Sequence, residues 1–108
     1  MQYEMRTYLV PKGRMDDILE RFRSVTMGLF KKYEMECLGF WTITKPAEDY
    51  ALVYLMRYAS VEAQEKAWDA FRADPKWIAT RERTEANGPI VEEVISKDLQ
   101  AVDFSPLQ

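Results

Sequence analysis

Apolar and polar residues alternate along residues 2–10, QYEMRTYLV, as in a strand whose two faces see different surroundings. The period then changes. After a turn at Pro11, Lys12 and Gly13, apolar residues recur at Met15, Ile18, Leu19, Phe22, Val25, Leu29 and Tyr33. Steps of three and four predict one amphipathic helix of about five turns, its stripe packed as core. Gly13 is the expected N-cap, and Asp16 and Asp17 fall in the first turn, where carboxylates suit the helix dipole. Residues 37–44 and 50–59 return to strand patterns, joined by a hairpin connection at 45–49 that contains Pro46. Ser60 caps a second helix that carries Ala63, Ala67, Ala70 and Phe71 on one face. Asp74 and Pro75 read as the N-cap and first position of a short further helix, which Asn87, Gly88 and Pro89 close. Residues 90 to about 96 make the last strand. The order is β-α-β-β-α-β with an extra short helix before the last strand. That pattern predicts an α+β, ferredoxin-like sandwich, an antiparallel four-stranded sheet with its helices on one face.

Two helices cover one side of such a sheet, so polar-out alternation is expected along every strand. Residues 50–59 break that expectation. One parity carries Ala51, Val53 and Leu55, and the other carries Leu52, Tyr54, Met56 and Tyr58. The preceding strand is similar, with Trp41 and Ile43 on one parity and Leu38 and Phe40 on the other. Leaving four large side chains in water forgoes roughly 1.5–3 kcal/mol each, and a contiguous patch of that kind marks an interface. A second copy, sheet against sheet about a two-fold axis, is the simplest cover. The expected homodimer interface is the face bearing Tyr54 and Tyr58. The row Glu4, Arg6, Tyr8 of the first strand then looks into a closed interior and not at bulk water.

Composition narrows the function classes. The 108 residues form a single domain, 1–108, and 47% hydrophobic with 31% charged residues excludes a disordered chain. A net charge of −3 with Lys31-Lys32 as the one adjacent basic pair argues against a nucleic-acid surface. No apolar run reaches the roughly 18–20 residues of a membrane span, and MQYEMRTY lacks the features of a signal peptide. A single cysteine, Cys37, fits a reducing cytoplasm and, with no basic neighbour, reads as inert packing. Histidine is absent, which removes the usual haem ligand and most catalytic zinc designs, so neither cofactor nor metal is expected. Glu92 and Glu93 point to opposite faces of a strand and make a poor carboxylate metal pair.

Five stretches in order, YEMRTYLVPKG, GFW, YLMRYAS, DPKW and the terminal DFSPL, resemble the NIPSNAP family over nearly the whole chain. The resemblance implies the fold of the wider dimeric α/β-barrel group, two ferredoxin-like subunits packed through their sheets. That group includes cofactor-free monooxygenases, isomerases and cyclases acting on small, often aromatic compounds, and also haem enzymes. Glu4, Arg6 and Tyr8 match the family's polar row, and Trp41 matches its aromatic after the strand-two glycine, Gly39. Tyr54-Leu55-Met56 stands where relatives often carry His-Leu-Trp, and Tyr33-Glu34 where they carry His-Gly.

The candidate chemistry therefore gathers on the strands. Arg6 either holds an anionic or enolate oxygen while Glu4 orients it or moves a proton, or the two form a structural ion pair. Tyr8, Phe40, Trp41, Tyr54, Met56 and Tyr58 are the expected lining of a ligand pocket between sheet and helices, though packing alone also explains the tyrosines and Met56. Trp68 and Trp77 read as core anchors of the helices. The tail is expected to lie against the domain or its partner, with Phe104 and Leu107 buried. Two functions stay open: a small-molecule site in each half of a dimer, with or without acid/base chemistry, and a structural module whose polar row locks the dimer.

Overall fold

A computed structural model describes residues 1–46 and 50–108. Strands β1 (Gln2–Leu9), β2 (Glu36–Thr42), β3 (Ala51–Tyr58) and β4 (Glu93–Leu99) form one antiparallel sheet in the order β2-β3-β1-β4. Helices α1 (Met15–Arg21) and α2 (Met27–Lys32) are joined without a break by a π-helical turn over Phe22–Thr26. Then come α3 (Val61–Ala73) and α4 (Pro75–Thr84). The ferredoxin-like order and the extra helix before the last strand stand as the pattern predicts. The 45–49 connection falls partly outside the described residues. Among those described, no helix is long and apolar enough to cross a membrane.

Local chemistry explains most boundaries. Ser60 Oγ accepts from the Ala63 N–H at 3.1 Å and starts α3. Asp74 caps α4 by accepting from the Lys76 N–H at 2.8 Å, with Pro75 just inside. The same carboxylate takes Lys32 Nζ at 2.7 Å and the Tyr33 hydroxyl at 2.5 Å, tying the end of α2 to the α3–α4 corner. The N-cap of α1 is Arg14, without a side-chain cap; Gly13 instead supplies the φ of +86° that the preceding turn needs. At the end of α2 the Met35 N–H reaches back to the Phe30 carbonyl at 2.8 Å, with Glu34 in the left-handed region at φ +56°. The last strand begins later than its sequence pattern suggests, at Glu93, because residues 90–92 first descend from α4, with Ile90 fully buried.

The register fixes the two faces. Arg6 lies opposite Tyr54 and Ser96, Glu4 opposite Met56 and Asp98, and Tyr8 opposite Leu52 and Val94. Paired residues share a face, and this is the face under the helices. Tyr8, Leu52, Tyr54, Met56 and Tyr58 join Ile18, Phe22, Phe30, Trp68 and Phe71 in one core. The expected dimer face is therefore corrected: Tyr54 and Tyr58 are 0% and 5% exposed beneath the helices of their own chain. The outer face carries Met5, Thr7, Leu9, Val53, Leu55 and Ile95, all half-buried, and among the described residues no helix covers it. A thickness of 19 Å leaves room for one sheet and one helix layer. The tail reaches this outer side, where the Tyr3 hydroxyl donates to the Gln108 carbonyl at 2.6 Å. Phe104 is 84% and Leu107 48% exposed, so their expected burial is not achieved within the chain.

Candidate functional site

The helix layer covers the edge strand only in part: Gln64 of α3 donates to Asp98 of β4 at 3.0 Å, bridging the two. On the helix side of β4, Val94, Ser96 and Asp98 stay exposed, and the gap between β4 and helices α3 and α4 forms a groove. Its floor is the β1 row. Two clefts adjoin there, sharing Arg6, Trp68 and Arg72. One, of about 320 Å³, runs toward Tyr8, Arg21, Phe71, Trp77 and residues 91–94. The other, of about 400 Å³, runs toward Glu4, Gln64, Ser96 and Asp98. The row of the first strand thus faces neither a dimer interior nor open water. It floors a groove roofed by the chain's own helices.

Glu4 and Arg6 anchor a dense polar network. Glu4 Oε1 accepts from the Tyr58 hydroxyl at 2.7 Å and from Trp68 Nε1 at 3.0 Å. Its Oε2 accepts from Arg6 Nη1 at 2.9 Å and from the Ser96 hydroxyl. Arg6 Nε donates to the Tyr54 hydroxyl at 2.7 Å, which in turn donates to the Tyr8 hydroxyl at 3.1 Å. The guanidinium also lies 4.2 Å from the Trp68 ring centre, a cation–π contact. Burial alone would raise the Glu4 carboxyl, but hydrogen bonds from Ser96 and Tyr58 and the charge of Arg6 hold it below its usual range. Burial opposes the charge on Arg6, yet the Tyr54 and Tyr8 oxygens and Glu4 hold its guanidinium above the usual value. Burial pushes the Tyr58 and Tyr54 hydroxyls up, so both stay neutral.

The residues anticipated from sequence divide by face. Glu4, Arg6, Tyr8, Tyr54 and Tyr58 come together in one network. Phe40 packs on Tyr54 with ring centres 4.9 Å apart, and Met56 is fully buried in the same core; neither lines either cleft. Trp41 is not with them. It projects from the outer face, opposite Val53, 53% exposed, with its ring close over Gly39. Burial pushes the Cys37 thiol up, in line with an inert role. Among the described residues no cluster of three His, Cys, Asp or Glu is placed to hold a metal ion.

The NIPSNAP family model matches residues 3–106. This chain belongs to the NIPSNAP family. Solved NIPSNAP structures superpose over almost the full length. An uncharacterised NIPSNAP domain protein from Burkholderia xenovorans shares 25% identity over 98% of this chain and 99% of its own, with a TM-score of 0.82. A NIPSNAP family protein with unknown function from Agrobacterium tumefaciens shares 21% identity over 100% and 94%, with a TM-score of 0.86. A putative antibiotic biosynthesis monooxygenase from Nitrosomonas europaea shares the fold alone, at 12% identity, 94% and 99% coverage and a TM-score of 0.64. No curated protein matches the sequence.

Three site residues of this NIPSNAP protein escape a reading by strands. Trp68 is a core anchor and also a donor to Glu4 and a plate over Arg6. Ser96 enters through pairing with Arg6, which no local pattern reveals. Arg21 had a signal: it falls at helical spacing between Ile18 and Val25, a cation on the buried stripe.

Proposed function

We propose that this protein binds a small, partly aromatic anion in the groove between β4 and helices α3 and α4, and does so as a homodimer closed through the outer sheet face. One observation carries the binding reading: Arg6 and Tyr8 of the polar row, though buried, line a cleft of about 320 Å³ whose walls also include Trp68, Phe71 and Trp77. That volume lies at the lower end of small-molecule sites, roughly 300–1,000 Å³. The chemistry favours holding over proton transfer. A general base at neutral pH needs a pKa near 7, whereas Glu4 stays ionised, Arg6 charged and both Tyr54 and Tyr58 neutral. A thermal-shift panel of small carboxylates and phenolates tests it. Stabilisation by members of that panel and not by their neutral analogues is expected; a flat response to every anion would remove the reading.

The second reading, a module in which the network only locks the fold, is favoured by the pairing of Arg6 with Glu4. Native mass spectrometry of protein from its own host separates the two, since a locking network retains no small molecule.

The dimer rests on the apolar outer face, which Trp41 extends at its β2 edge. Closing it should bury at least about 1,200 Å², the lower bound of a stable interface. Leu55→Glu should convert a dimer to monomer or unfold it in light scattering; a dilute wild-type monomer of full thermal stability would refute the assembly.

A further inference from the structure

We propose that the tail, residues 100–108, is a reciprocal clasp of the dimer: Phe104 of each copy seats in an apolar notch beside the tail of the second copy. This rests on the outer sheet face being the interface and names what completes it. The sheet alone is too small. Four strands about 4.8 Å apart and about 25 Å long present roughly 500 Å². A stable dimer takes about 600–1,000 Å² from each copy. A buried aromatic side chain adds about 150–250 Å². Phe104, 84% exposed, is the most exposed large hydrophobic residue among those described. One such ring brings the face into range.

The tail lies on that face and is held in shape. The Tyr3 hydroxyl on β1 donates to the Gln108 carbonyl at 2.6 Å. Tyr3 is 6% exposed on the side of the sheet away from the helices, so the tail is its cover. A turn closes between the Ser105 N–H and the Val102 carbonyl at 3.0 Å. The Gln108 side-chain amide then donates to the carbonyls of Val102 at 3.0 Å and Ser105 at 2.6 Å. These bonds fix the turn that carries Phe104. A side chain whose backbone is ordered beforehand loses less freedom on docking.

The other half of the clasp is a recess. Between the tail and the sheet runs a notch of about 270 Å³ walled by Tyr3, Leu55, Leu99, Val102 and Leu107. A two-fold interface sets one patch against itself, so the patch must carry both a projection and the recess that takes it. The tail carries both within one short stretch. The notch crosses β3, β1 and β4, near the middle of the sheet's width. A two-fold axis parallel to the strands at that place lays sheet over sheet and exchanges the two Phe104 rings.

Subunit exchange between isotopically distinct copies, followed by native mass spectrometry, tests the clasp together with sedimentation equilibrium. Wild type should be a dimer. Phe104→Ala removes a ring that is exposed in its own chain, so it should leave the far-UV spectrum unchanged and raise the dimer dissociation constant at least about tenfold. Gln108→Ala, which keeps the ring and frees the turn, should raise it several-fold. In a mixed-label dimer the Phe104 ring protons should show contacts with the partner's Leu55 and Leu99 methyls. Unchanged dissociation in Phe104→Ala, contacts within one copy only, or a small apolar molecule held in the notch overturns the clasp while the sheet-to-sheet dimer stands. A monomeric wild type overturns the assembly reading and the clasp with it.

Discussion

Replacing Glu4 by glutamine should cost far more than the loss of one charge at a surface, and the structure says where the cost falls. Glu4 receives four donors, two on each oxygen. A glutamine carbonyl can keep Tyr58 and Trp68. Its amide then faces the Ser96 hydroxyl, which can rotate to accept, and Arg6 Nη1, which cannot. The guanidinium is left without a counter-charge at 8% exposure. Breaking a buried pair from one side costs about 3–5 kcal/mol, and the groove beside Arg6 lets water relieve part of it, so about 3 kcal/mol is expected. With a urea slope of about 1–3 kcal/mol per molar, the midpoint should fall by roughly 1–3 M. Arg6→Met in the Glu4→Gln background removes the stranded charge and should restore part of the loss. The assay is a double-mutant cycle by urea unfolding. Additivity of the two changes within about 0.5 kcal/mol would show that the pair is not what the network depends on.

The same carboxylate sets a pH dependence. Its folded pKa lies below the unfolded one, so its contribution is complete above about pH 4.5 and disappears as pH falls through the lower folded value; urea midpoints at pH 7 and pH 3 should therefore fall less in Glu4→Gln than in wild type. Glu34 occupies a left-handed conformation at φ +56° that closes α2, so Glu34→Gly should raise stability by about 1 kcal/mol, read as a higher melting temperature. A β-carbon on Gly39 would come within 2.8 Å of the Trp41 ring; Gly39→Ala should lift that indole off the strand and change its fluorescence, and an unaltered spectrum would contradict the stacking.

Parity was legible in the sequence, and sidedness was not. Alternation states that Glu4, Arg6 and Tyr8 share a face, and the same holds for Leu52, Tyr54, Met56 and Tyr58. Which of two faces meets the helices is a tertiary fact: the β1–β3 register puts Arg6 and Tyr54 on one face, and the packing of the helices decides that this face is the covered one. Side-chain size carried a hint: the bulkier set of β3 fills the deeper space under the helices, while Val53 and Leu55 lie on the outer face. Caps at Ser60 and Asp74 were readable because their chemistry is local. The groove was not, since it follows from how far the helix layer extends over β4.

The π-helical turn at Phe22–Thr26 also bears on how the chain tolerates change in length. A π turn holds one residue more than the α turn it replaces. Removing a residue from an ordinary helix rotates everything beyond it by about 100°, turning the apolar stripe to water. Removing one exposed residue here, Arg23 or Ser24, would tighten the turn to α geometry and leave Ile18 on one side and Leu29 and Phe30 on the other still facing the sheet. Shortening by one residue is thus permitted at this point of the helix and forbidden on either side of it. NIPSNAP chains that differ in length by a residue within this helix can keep the same core.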